Sequence, residues 1–347
     1  MVLARVWRRW RTVVRMTNAT VAEIPVIDIG GLFGGDRAAA VRAIARQVQG
    51  ACQMSGFFYI ANHGIPRDLI AAVFEADRTF HARPLAEKLK IKLNQWHRGY
   101  QAFATSTLKS SARFAPAKHP NQLESYLLRH EVSPDHPDFR SKVLMGPNQW
   151  PDDPQFKTVV QRYDQAVRDL GHRLLPVFSV AVGEAPDFFA RFFDPASTAT
   201  RLIHYPPAPA TRPDDLFGIH PHTDYGFLTI LAQDDVGGLE VRRIDGSWIP
   251  AVPIPDTFVV NIGDILARWT NDRFNSTPHR VINSSNYRDR YSVAMFFDPN
   301  IDAWISCLPR FASPESPAKY PAIRYGEYYQ TRLDANYPDR VGAAADG

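Results

Sequence analysis

An α+β chain with a mainly β core flanked by helices is the fold class predicted for this 347-residue sequence, and three observations predict it. Up to about residue 150, short strand-like runs mix with helical periodicity; residues 154–183 carry the longest helical pattern; after Thr200, short apolar runs are separated by turn residues. The last pattern is how an all-β sandwich or barrel reads.

Taken in order, residues 24–28 alternate apolar and polar like a short strand, and residues 36–53 place Ala40, Val41, Ile44, Val48 and Ala51 at helical spacing. Met54-Ser55-Gly56 ends that helix, residues 57–60 form a strand, His63-Gly64-Ile65-Pro66 turns, and a second helix covers about 67–80. Periodicity weakens over residues 96–150, where Pro, Asn and His are frequent, so long connections with short strands are expected. The helix over 154–183 presents Val159, Tyr163, Ala166, Val167, Leu170, Leu174 and Phe178 as one stripe and should pack on the outside of the core. Strands follow at residues 201–205, 227–232, 239–243, 258–262, 279–282 and 291–297, with Gly237-Gly238, Asp245-Gly246 and Gly263-Asp264 as turns.

Composition narrows the function classes. Hydrophobic residues at 45% suffice for a large core, and no run approaches the roughly 18 apolar residues of a membrane span, so no integral membrane segment is expected. The two cysteines, Cys52 and Cys307, lack metal-ligand spacing and fit a reducing, cytoplasmic location. Arg5, Arg8, Arg9, Arg11 and Arg15 precede the first acid, Glu23; removing these five from the formal +4 leaves −1, so the body offers no basic stripe and nucleic acid is not an expected partner. Residues 1–20 read as a basic, unstructured extension, with Met16 as a rival start; organellar targeting is the alternative use of this tail.

The chemistry lies in the strand-rich half. His222 and Asp224 are two apart, so in a strand their side chains share a face, and His279 opens a later strand that can return to the same place. Two imidazoles and one carboxylate are the ligand set of a mononuclear iron(II) centre with open coordination positions. His220 shares the parity of His222 and is a rival ligand or an outer support. Arg290 and Ser292 repeat the two-residue geometry, presenting a guanidinium fork and a hydroxyl suited to a carboxylate; an internal salt bridge to Asp264 or Asp298 is the alternative. Tyr205 is either a further hydrogen-bonding group in that cavity or an ordinary core aromatic. Trp269 and Asn271 are expected to shape the loop presenting His279, and Asp264 to serve a turn.

On these residues the sequence resembles the iron(II)/2-oxoglutarate-dependent dioxygenases of the isopenicillin N synthase-like family, including bacterial members. The most specific parts are His222-Thr223-Asp224-Tyr225-Gly226, Gly237-Gly238-Leu239-Glu240-Val241, Asn261-Ile262-Gly263-Asp264, Thr277-Pro278-His279-Arg280-Val281 and Arg290-Tyr291-Ser292. Ile24-Pro25-Val26-Ile27-Asp28 and the stretch from Gly56 to Ile65 look like the family's amino-terminal region. The resemblance implies a double-stranded β-helix, the cupin-like jelly roll, with iron held by His222, Asp224 and His279 and the distal carboxylate of 2-oxoglutarate bound by Arg290, Ser292 and Tyr205. It departs from many plant relatives at Ile203, where they carry Asn.

The implied reaction oxidatively decarboxylates 2-oxoglutarate to succinate, with dioxygen, and hydroxylates, desaturates or cyclises a small-molecule substrate. Ascorbate is a supporting reductant. The alternatives are a family oxidase that does without 2-oxoglutarate, an ethylene-forming fragmentation of 2-oxoglutarate and, more remotely, a zinc hydrolase or a non-catalytic jelly-roll binding module. The division expected is a basic extension at 1–20, an N-terminal dioxygenase region with the form of an α/β cap at 21–150, a long helical segment at 151–197, the jelly-roll core at 198–301 and a C-terminal helical segment at 302–347. A monomer or weak homo-oligomer is expected. Substrate-lining residues are sought in the 96–126 region, in the 228–241 strands and after Asp298, where Trp304, Phe311 and Arg324 are candidates.

Overall fold

A computed structural model describes residues 24–107, 114, 116–139, 142, 144–283 and 285–336, so the basic extension expected at 1–20 lies outside the described residues. Helices are α1 (Arg37–Met54), α2 (Arg67–His81), α3 (Leu85–Leu89), α4 (Pro154–Ala181), α5 (Asp264–Trp269) and α6 (Tyr325–Asn336). The strands are β1 (Val26–Asp28), β2 (Phe57–Ala61), β3 (Gly99–Gln101), β4 (Glu124–Arg129), β5 (Ser197–Tyr205), β6 (Ile219–His222) and β7 (Leu228–Gln233). They continue as β8 (Leu239–Arg242), β9 (Trp248–Pro250), β10 (Thr257–Ile262), β11 (His279–Val281), β12 (Arg290–Asp298), β13 (Trp304–Ile305) and β14 (Ile323–Arg324).

The helix starts follow local chemistry. Asp36 accepts the Ala39 N–H at 3.0 Å and Asp153 accepts the Phe156 N–H at 2.9 Å, each satisfying a donor left free by the first turn, and Pro154 occupies a first-turn position that needs no donor.

Eight strands form one sheet in the order β1-β2-β10-β7-β12-β5-β4-β3, and four form a second, β6-β11-β8-β9. Only β1 and β2 pair in parallel among these. The region expected as an α/β cap thus supplies both outer edges of the large sheet. Two apolar clusters follow from strand alternation. Phe58, Ile60, Leu202, Val260, Val293 and Met295 pack with α1, α2 and α4 on the outer face; Phe57, Tyr59, Ile203, Tyr205, Val259 and Ala294 face Leu239, Val241 and Val281 of the small sheet. The two facing sheets make the expected jelly roll, and the run at β2 is buried on both faces, which is why it reads as continuously apolar.

Helix α4 packs on the outside as its stripe predicts, and it approaches β12 closely because Gly171 has no side chain. A Cβ there would meet the Phe297 ring at 2.5 Å. Helix α5, by contrast, begins where only a turn was expected; six residues are too few for periodicity to reveal. The C-terminal region contains the short ribbon β13–β14 before α6.

Candidate metal centre and cosubstrate pocket

Strands β6 and β11 are neighbours in the small sheet, with His222 directly opposite His279 and their ring centroids 4.3 Å apart. Asp224 lies just past the end of β6. Its Oδ1 is 3.7 Å from His222 Nε2 and 3.6 Å from His279 Nε2, and the three residues offer donor atoms within 4.8 Å of one another.

The remaining atoms of each group are already engaged. His222 Nδ1 is 2.8 Å from the His220 carbonyl and His279 Nδ1 is 3.2 Å from the Thr277 carbonyl. Donation of both Nδ1 protons leaves each Nε2 with a lone pair aimed inward. Asp224 Oδ2 accepts from Asn261 Nδ2 at 2.7 Å and from Thr229 Oγ1 at 2.5 Å, which leaves Oδ1 toward the imidazoles. Burial, reinforced by repulsion from His279, holds the His222 pKa below its ordinary value. Burial alone would raise the Asp224 pKa, but the two imidazoles and the hydrogen bonds from Thr229 and Asn261 outweigh it and lower the value. Two imidazoles and a carboxylate converging on one point are a donor set that fits one divalent ion of the iron(II) type.

Arg290, fully buried, lies in the same cavity. Its Nε donates to the Gly237 carbonyl at 2.5 Å and its Nη1 to Ser292 Oγ at 3.3 Å, while the guanidinium carbon sits 4.6 Å over the Tyr205 ring. Gly237 and Gly238, at φ 79° and 96°, make the turn that delivers this carbonyl; a Cβ on Gly238 would meet the Ile282 carbonyl oxygen at 2.1 Å. Among the described residues no carboxylate ion-pairs with Arg290 within 4.0 Å. The two rival partners are occupied elsewhere: Asp264 accepts from Ser276 Oγ at 2.6 Å and Tyr328 OH at 3.1 Å, and Asp298 accepts the Phe227 N–H at 2.7 Å. Tyr205, 1% exposed, lines the cavity with its ring beneath the Arg290 cation.

The cavity, about 150 Å³, is lined by all six predicted site residues and closed by Tyr329, Leu333 and Asn336 of α6. A larger open depression beside Arg242–Asp245, about 830 Å³, contains none of the six. His220 stands outside the three-residue group, its Nδ1 2.9 Å from Asn121 Oδ1, and serves His222 through its carbonyl. Three expectations are corrected. Trp304 is 62% exposed, Arg324 pairs with Asp302, and neither these nor Phe311 lines the cavity, because α6 takes that place. Trp269 packs among Phe189, Phe192 and Phe227, and Asn271 donates to the Phe311 and Pro317 carbonyls, tying the C-terminal segment rather than the His279 loop. Asp264 opens α5 and fixes the approach to His279 through Ser276.

Sequence reasoning missed Thr229 and the role of Asn261, and it missed Arg201 with its partners Gln101 and Ser125. Strand parity was the available signal for Arg201, two and four residues before Ile203 and Tyr205 on the same face.

Comparison with known proteins places this geometry. Residues 24–153 match the family described as the non-haem dioxygenase in morphine synthesis N-terminal region, and residues 196–299 match the 2OG-Fe(II) oxygenase superfamily. The chain is 36% identical over 337 residues to a homoarginine-6-hydroxylase of Arabidopsis thaliana, covering 90% of this chain and 97% of that protein. It is 35% identical over 308 residues to a 2-oxoglutarate-Fe(II) type oxidoreductase of Emericella nidulans, covering 86% of each. Among solved structures, a full-length Neurospora crassa protein in complex with alpha-KG and thymine superimposes with a TM-score of 0.78 at 31% identity, over 90% of this chain and 96% of that one. The chain belongs to the iron(II)- and 2-oxoglutarate-dependent oxygenases of the isopenicillin N synthase-like family.

Proposed function

We propose that His222, Asp224 and His279 hold the iron of this 2-oxoglutarate-dependent oxygenase, and that Arg290, Ser292 and Tyr205 hold the distal carboxylate of 2-oxoglutarate. The observation that carries this assignment is the convergence, in one cavity, of three metal-donor atoms and a fully buried guanidinium that ion-pairs with no carboxylate within 4.0 Å among the described residues. When bound, the iron supplies the oxidising chemistry that couples decarboxylation of 2-oxoglutarate by dioxygen to oxidation of a substrate C–H bond.

The residues do the rest. The guanidinium fork of Arg290 and the Ser292 hydroxyl fix one end of the dianion, which sets the reach of its keto-acid end toward the triad. Asn261 and Thr229 keep Asp224 in one rotamer, and Phe57, Ile203, Leu239 and Val281 wall the cavity with apolar surface that excludes water. Charge balances as well: a divalent ion, the Asp224 carboxylate, a 2-oxoglutarate dianion and the Arg290 cation sum to zero.

Anaerobic protein given iron(II) and 2-oxoglutarate is expected to develop a visible metal-to-ligand charge-transfer band, and His222→Ala to abolish it. Absence of the band from the wild-type protein at saturating iron refutes chelation at this site. Arg290→Ala should raise the 2-oxoglutarate concentration that half-saturates the band by about 30-fold or more, the scale of removing one partner of a buried charge pair, with a much smaller effect on iron affinity. Equal loss of both would show that Arg290 has another role.

A further inference from the structure

A second guanidinium enters the same cavity. Arg201 lies on β5, and with Ile203 and Tyr205 it lines the space around the triad. In the register between β5 and β12, Tyr205 faces Arg290, Ile203 faces Ser292 and Arg201 faces Ala294. Arg201 is therefore four residues from the Arg290 level along one face, roughly 13 Å of strand at the usual rise. The next same-face step along β12 is Phe296, which pairs with Thr229, the residue that holds Asp224. Arg201 thus stands near the level of the metal donors, while Arg290 lies toward the far end of the cosubstrate.

Its guanidinium is held in place by neighbouring strands. Arg201 Nε donates to Ser125 Oγ at 2.9 Å and Nη2 to Gln101 Oε1 at 2.7 Å, and Ser125 Oγ donates to the same Gln101 oxygen at 3.3 Å. Both partners are neutral. No carboxylate ion-pairs with Arg201 within 4.0 Å among the described residues, so the side chain is oriented without being neutralised. Farther along, Arg129, 3% exposed, acts on the buried Asp298 carboxyl. With iron, Asp224, 2-oxoglutarate and Arg290 summing to zero, Arg201 is left as one uncompensated positive charge beside the reacting centre. A partly desolvated cation of that kind is stabilised by an anion that arrives with the ligand.

We propose that Arg201 is a specificity-determining residue that binds a carboxylate on the prime substrate, so that this oxygenase acts on a small monocarboxylic acid. The proposal rests on the cosubstrate assignment to Arg290. It orients the substrate through a charge-assisted hydrogen bond near the metal, with Leu127, Phe296, Tyr329 and Leu333 offering apolar contact to its hydrocarbon part.

The test uses the whole protein, anaerobic, with iron(II) and saturating 2-oxoglutarate, titrated calorimetrically with hexanoate, benzoate and phenylacetate, each beside its primary amide. At least one acid should bind about 10- to 100-fold more tightly than its amide, the scale of a hydrogen bond to a charged group, and Arg201→Gln should erase that preference. Arg201→Lys, which keeps the charge without the fork, should retain part of it and guards against a folding defect. Wild-type protein that binds no acid, or binds acids and amides alike, overturns the proposal. So does an Arg201→Gln variant that needs as much additional 2-oxoglutarate to saturate the charge-transfer band as Arg290→Ala, because Arg201 would then belong to the cosubstrate. If the wild-type band never forms, the Arg290 assignment has failed by itself, and the same acid and amide titration on iron-loaded protein without 2-oxoglutarate still decides the role of Arg201.

Discussion

Replacing Asn261 with leucine tests how far the triad depends on the residues behind it. Asn261 Nδ2 and Thr229 Oγ1 both donate to Asp224 Oδ2, so each fixes the rotamer that presents Oδ1 to the imidazoles. Leucine has similar bulk and no donor, and Asn261 is 3% exposed, so no water replaces the lost bond cheaply. Loss of such a support usually costs 10- to 100-fold in metal affinity, about 1.4–2.8 kcal/mol. A chelator-competition titration of iron(II) under anaerobic conditions reads this directly. The variant has a second signature. Hydrogen bonds from Thr229 and Asn261 help lower the Asp224 pKa, so removing one raises it, and protons compete with the metal at higher pH. The pH at which half the metal is lost should therefore move upward. Thr229→Val should act in the same direction, and the double variant should lose less than the sum because both donors serve one oxygen. Iron affinity within twofold of wild type in folded Asn261→Leu protein would refute the claim that this bond orients Asp224.

Other outcomes follow from further buried charges. Lys88, 7% exposed, contacts Glu124 at 2.8 Å; Lys88→Met strands a carboxylate that keeps only its His204 and Tyr100 bonds, so chemical denaturation should show a loss of about 3 kcal/mol, at the lower end of the range for broken buried pairs. Burial opposes the charged form of His204, yet its hydrogen bonds to Glu124 and Asp289 win and raise its pKa above 6.5. Its contribution is fully present below pH 6.5 and disappears as pH rises through the raised folded value, so melting curves of wild type and His204→Gln should converge on the alkaline side. Burial pushes the Asp298 pKa from 3.8 up to about 6, which makes stability fall as pH rises between those values. Asp298→Asn keeps an acceptor for the Phe227 N–H and should be the more stable form above pH 6, by about 2–3 kcal/mol. A wild-type advantage at pH 8 would show that ionised Asp298 is better compensated than its burial implies.

The site was legible in the sequence to the extent that its geometry is local. Residues two apart on a strand share a face whatever the tertiary structure, so Arg290 and Ser292 announce themselves by spacing; His222 and Asp224 have the same spacing and converge although Asp224 lies just past the end of β6. The same parity would have exposed Arg201, but an arginine within a strand carries no sign of whether its face is cavity or surface. Asn261 and Thr229 were harder still. They come from β10 and β7, and only pairing of those two strands brings both donors to one carboxylate oxygen.

The sequence by itself determined the long helices, whose apolar periodicity survives without tertiary context, the strand-rich second half, and the residue types on which the proposed metal and carboxylate roles rest. Tertiary structure decided what depends on register between distant segments: that the N-terminal strands extend the large sheet, that His279 lands opposite His222, and that α6 rather than Trp304, Phe311 or Arg324 closes the cavity. The physical reason is that side-chain direction repeats locally along a strand or helix, whereas register and closure arise only when faces far apart in the chain are buried against one another.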